Sequence, residues 1–169
     1  VLRQGWGVEP LTEGQAACVS TMSYNEYWVV RDAGYSPEQL TVFKYQSEGA
    51  ATLEDGLYVH EKNLSDAAFK DKMVRFVRAS MKGWKYAEAN PKEAAMIILD
   101  NDDAGVQTEK HQVRMMGEIA KLTAGSNGSL DPADYERTVK VLMSGDSDPV
   151  ITKKPSGAWT NEIRNAALK

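Results

Sequence analysis

The residues best suited to recognising a small molecule are the run Thr21-Met22-Ser23-Tyr24-Asn25-Glu26-Tyr27-Trp28, which gathers hydroxyl, phenol, amide, carboxylate and indole groups into one short stretch. Tyr24 and Trp28 offer flat faces for stacking, Thr21 and Asn25 offer directed hydrogen bonds, and Glu26 accepts from an exocyclic amine or a ring N–H. That combination suits a planar, nitrogen-rich solute. A plainer reading uses the same residues: Tyr27 and Trp28 pack in the core of the helix that follows, and Glu26 is an acidic residue favourably placed at a helix start.

Groups that could carry catalysis are scarce. His60 and His111 are the two histidines, far apart in sequence, so a histidine metal cluster is not expected. Cys18 is the single cysteine and lies in the apolar run Ala16-Ala17-Cys18-Val19, which predicts a buried, inert thiol and excludes an internal disulfide. Asp100-Asn101-Asp102-Asp103 has calcium-like ligand types but lacks the full loop and its terminal bidentate glutamate, so it reads as a solvated connection between helices. No glycine spacing matches a phosphate-binding or dinucleotide loop. No catalytic residue, metal or cofactor is expected, and the chain reads as a binding protein and not an enzyme.

The bulk properties agree with that reading. The 169 residues, 42% hydrophobic and 26% charged, suffice for one globular domain and fall short of two full ones. A formal charge of −4 leaves no basic excess for nucleic acid or anionic lipid. No apolar run approaches the ~20 residues of a membrane span, and the opening residues lack the pattern of a signal peptide.

The elements that must position the candidate residues fall into two stretches. Residues 1–60 are β-leaning and interrupted by glycine. Residues 16–22, 40–45 and 56–60 are the strand candidates, and a helix over 25–33 stops at Gly34. Beyond Asn63 the pattern is helical. Phe69, Met73, Phe76, Val77, Ser80, Trp84 and Ala87 form one stripe that reads as core, and Asn90-Pro91 and Asp131-Pro132 each open a further helix with a cap followed by a first-turn proline. Residues 145–157 read as an extended connector before a short last helix.

Several phrases then line up in order: Gln4-Gly5-Trp6, Pro10-Leu11-Thr12-Glu13-Gly14-Gln15-Ala16, Tyr24-Asn25-Glu26, Asp55-Gly56-Leu57, Phe76-Val77-Arg78-Ala79, Lys82-Gly83-Trp84-Lys85-Tyr86-Ala87, Asn90-Pro91-Lys92-Glu93-Ala94 and Tyr135-Glu136-Arg137-Thr138. This resembles the thiamine-pyrimidine-precursor-like family of ABC-transporter solute-binding proteins, related to the nitrate, sulfonate and taurine receptors. The resemblance implies an α/β, periplasmic-binding-protein-like architecture of two lobes. Only its C-terminal portion is expected here, helix-rich with a small β-sheet, residues 1–33 ending lobe two with a crossover strand and 34–169 belonging to lobe one. It implies a small, heteroaromatic solute held by Thr21, Tyr24, Asn25, Glu26 and Trp28, with Glu48 near the rim of lobe one. It further implies a membrane permease as partner and a periplasmic or membrane-anchored extracellular location. Ala17 stands where the family commonly has Asp. Two alternatives stay open: a thiamine-pyrimidine synthase-like enzyme, whose cysteine-rich motif is not matched by Cys18 alone, and a truncated module that self-associates to cover exposed edges.

Overall fold

Prolines, capping side chains and glycines divide the chain into seven α-helices among the described residues, 2–145 and 148–169 of a computed structural model. They are α1 (Glu9–Thr12), α2 (Glu26–Asp32), α3 (Ala67–Ala89), α4 (Pro91–Asp100), α5 (Glu109–Thr123), α6 (Pro132–Met143) and α7 (Glu162–Ala167), with 3-10 turns at Pro37–Gln39 and Glu61–Ser65. The chain forms two compact units, residues 1–41 with 83–125 and residues 42–82 with 126–169, and α3 crosses from one to the other between Lys82 and Gly83.

The first unit is built around the packing of α4 on α5. Ala94 and Ala95 on α4 are buried against Met116 of α5, with Ala87, Ile98 and Val113 packed on them. Two consecutive alanines leave no side chain to hold the helices apart, and the flexible thioether fills the gap between them. Local signals set the ends. Thr108 caps α5 by accepting from the His111 N–H, and α2 ends before Gly34, whose φ of 104° is a conformation that residues with a Cβ resist. Asn90 opens α4 in a different way from the expected cap: its side chain donates back to the Tyr86 carbonyl.

The second unit is held largely by side chains that bond to backbone. Arg78 donates to the Ala167 and Ala166 carbonyls at the end of α7 at 2.9 and 3.4 Å, satisfying orphaned carbonyls with a cation where the helix dipole favours one. Arg164 Nε donates to Asn127 O at 2.8 Å, and the Asn161 amide bonds Leu130 in both directions. Asp131 caps α6 through the Ala133 N–H, as its position before Pro132 predicts.

The expected small β-sheet is absent, because the described residues contain no strand. Residues 16–22, 40–45 and 56–60 are coil, with Phe43 and Tyr58 71% and 82% exposed. A strand exists only as part of a ladder, and β-branched and aromatic residues favour a half-buried pleated surface without creating its neighbour. Side chains supply isolated bonds instead. The Gln4 amide takes both the N–H and the C=O of Ser20, at 2.9 and 2.8 Å, as a peptide of an adjacent strand would. In the second unit, Thr138 Oγ1 accepts from the Leu53 N–H and Arg137 Nε donates to Ala51 O. Two further expectations change. Cys18 is exposed, and no residue of α3 is fully buried, Phe76 and Trp84 being 53% and 46% accessible. Of the 145–157 connector, residues 146 and 147 lie outside the described residues, and the remainder carries no helix or strand.

Because Met116 is the largest side chain of the α4–α5 core, Met116→Ala is expected to lower the unfolding free energy by about 2–4 kcal/mol. Val42→Ala, at an exposed position, is expected to change it by less than about 0.5 kcal/mol. Denaturant unfolding of the two variants checks both.

Candidate functional site

The run from Thr21 to Trp28 forms a turn and the first residues of α2. The Met22 carbonyl accepts from the Asn25 and Tyr27 N–H groups at 3.2 and 3.3 Å, folding the chain back on itself. Glu26, the first residue of α2, returns Oε2 to the Met22 N–H at 2.8 Å, so its carboxylate satisfies a backbone donor at the helix start. Its other oxygen, Oε1, accepts from Asn25 Nδ2 at 3.1 Å, and Asn25 Oδ1 lies 2.8 Å from His111 Nε2. Thr21 and Tyr24 are half-buried beside this array. Tyr27 meets Trp28 edge-on, with ring centroids 5.3 Å apart and planes at 75°.

Helix α5 holds α2 through a polar edge. The Arg114 guanidinium lies 4.9 Å from the centre of the Trp28 ring, within cation–π range, and its Nη1 bonds Asp32 Oδ2 at 2.9 Å. Lys110 Nζ takes the other Asp32 oxygen at 2.9 Å. Asp32 ends α2, where the helix dipole disfavours an anion, and the two cations of α5 offset that cost. The hydrogen bonds from Lys110 and then Arg114 hold the Asp32 carboxyl below the ordinary aspartate range.

Five of the residues expected from sequence, Thr21, Tyr24, Asn25, Glu26 and Trp28, therefore stand together in the first unit. Glu48 is an exposed turn residue of the second unit. Asp32, Lys110, His111 and Arg114 were not foreseen. Their spacing was visible, since Lys110 and Arg114 are four apart on a helix, but nothing in the sequence paired α5 with α2. Two donors of α2 remain without a partner among the described residues: Trp28 Nε1 and Arg31 Nη1 are both shielded from solvent and find no acceptor there. They sit three residues apart on one helix, hence on one face, and an unmet buried donor is costly enough to favour an incoming acceptor. This face can pair with a molecule carrying hydrogen-bond acceptors.

An open depression of about 510 Å³ lies where α3 meets α4, lined by Asn90, Pro91, Lys92, Glu93 and Met96. The neighbouring Tyr86 phenol is held above its ordinary range, first by its hydrogen bond to Glu93. Among its lining residues, only Met96 is a large apolar side chain. Among the described residues no cluster of histidine, cysteine or carboxylates could hold a metal ion, and no helix is long and apolar enough to cross a membrane.

A family model described as NMT1/THI5 like matches residues 2–94, more than half of the chain, including the whole run from Thr21 to Trp28 and also Glu48. Helix α5 lies beyond the matched residues. No curated protein and no solved structure matches the chain.

The lowered Asp32 pKa contributes stability at pH values above about 4, and that contribution is lost as the pH falls through the folded-state value. Asp32→Asn is therefore expected to lower the melting temperature near neutrality and to flatten its decline below about pH 4. Melting curves from pH 7 to pH 2.5 check this, and an unaltered acid limb would contradict it.

Proposed function

The chain belongs to the NMT1/THI5-like family, in general a family of solute-binding proteins, and from that membership we propose that it is the substrate-binding component of an ABC importer for a small heteroaromatic solute resembling a thiamine pyrimidine precursor. The observation that carries this reading is the pair of unpartnered, buried donors on α2, Trp28 Nε1 and Arg31 Nη1, in the helix that Glu26 opens. Ring nitrogens of a planar solute meet such donors, with Trp28 presenting its N–H edge, its exocyclic amine meets Glu26, and Tyr24 flanks the ring. Thr21 and Asn25 complete the polar lining. Under this reading the chain works outside the cytoplasm, in the periplasm or anchored at the outer membrane face, and hands its solute to a membrane permease without transforming it.

A second reading, self-association, is favoured by the exposed apolar side chains of Phe43, Leu57 and Tyr58 in the coil of the second unit, which a second copy would cover.

A thiamine-pyrimidine precursor is expected to raise the melting temperature, while taurine and riboflavin leave it unchanged. Glu26→Gln is expected to weaken the pyrimidine by about tenfold, the loss of one charge-assisted hydrogen bond, as read by titration calorimetry. Absence of any shift with every solute would sink the transport reading. Sedimentation should show mass increasing with protein concentration, and a monomer throughout would remove the second reading.

A further inference from the structure

The hydrogen bonds around Asn25 have one consistent assignment of donors and acceptors. The Glu26 carboxylate takes the Met22 N–H on one oxygen and faces the Asn25 amide at 3.1 Å with the other. An ionised carboxylate only accepts, so the amide nitrogen of Asn25 must point towards it. The amide oxygen of Asn25 then faces outward to His111 Nε2 at 2.8 Å. An amide oxygen also only accepts, so Nε2 must carry a proton. Reversing the amide would set two acceptors against each other at Glu26. The ring itself is held in the first turn of α5, where the His111 N–H bonds the Thr108 hydroxyl and the adjacent Lys110 is tied to Asp32.

We propose that His111 is a positioning residue for the candidate site: by donating from Nε2 to Asn25 Oδ1 it fixes the orientation of the Asn25 amide and keeps the Glu26 carboxylate turned towards the start of α2. Without that donor the amide can rotate end over end, and the segment no longer presents one pattern of donors and acceptors. The effect on solute selection rests on the solute-binding reading above, whereas the assignment of the proton and the amide does not. His111 itself touches no solute in this arrangement and acts only through Asn25.

The test uses the whole chain labelled with nitrogen-15, together with His111→Gln, whose side-chain amide can still donate, and His111→Leu, which cannot. In the unsubstituted protein the His111 imidazole is expected to show a protonated Nε2. The Asn25 side-chain amide signals are expected to move in H111L and to lie near their original positions in H111Q. A bare Nε2, or Asn25 signals that do not move in H111L, would overturn the proposal. If H111L does not fold, the Nε2 signal of the unsubstituted protein still decides the matter. For a pyrimidine solute the affinity is expected to fall about tenfold in H111L and to recover to within about threefold in H111Q; equal losses in both would overturn the positioning role. If the unsubstituted protein binds no solute, the functional reading fails while the Nε2 measurement continues to decide this one.

Discussion

The Arg114 guanidinium is the contact on which the candidate site most depends, because it serves two partners at once: it covers the face of Trp28 and it bonds Asp32. Trp28 and Asp32 are four residues apart on α2, so a single side chain of α5 engages that helix one full turn apart and sets both its rotation and its position along its axis. Lys110 and His111 repeat the pattern one turn earlier on α5, reaching Asp32 and Asn25. Each link is modest alone, since exposed ion pairs contribute little. Their value lies in geometry, because α2 has only seven residues and a helix that short cannot hold its own conformation in water.

What the sequence made legible follows the range of each signal. Proline after Asp131, glycine after Ala33 and the helical stripe from Phe69 to Ala87 act locally, and the helices they announce are present. The run from Thr21 to Trp28 could be picked out by composition alone, and it forms a turn and the start of α2. The partners that hold it could not be read, because Asp32 and Arg114 are 82 residues apart and no local rule pairs them. The same limit explains the missing sheet. Residues 40–45 have the alternation of a strand, but alternation describes one half of a pair, and within the described residues no second half meets it.

Where strands were expected, polar side chains take over the role of a ladder. Gln4 pairs with Ser20 as a neighbouring peptide would, and Arg137 and Thr138 on α6 meet the backbone of residues 51 and 53. Such isolated bonds fix a few points of a coil without closing it off from water, which is why Leu57 and Tyr58 remain exposed. The first unit differs in having a small buried cluster of Ala94, Ala95 and Met116, and it is this unit that carries Thr21 to Trp28. The family match ends at residue 94, so α5, which orients the matched segment, comes from sequence that the family model does not describe.

Amide hydrogen exchange, recorded with and without a thiamine-pyrimidine precursor, tests this account most directly, because it reads where a solute acts as well as whether it binds. The account predicts slower exchange on addition of the pyrimidine in residues 21–32 and in the first turns of α5, with the rest of the first unit unchanged. Slower exchange confined to the second unit, or to the depression beside Asn90, would place the solute elsewhere and contradict it.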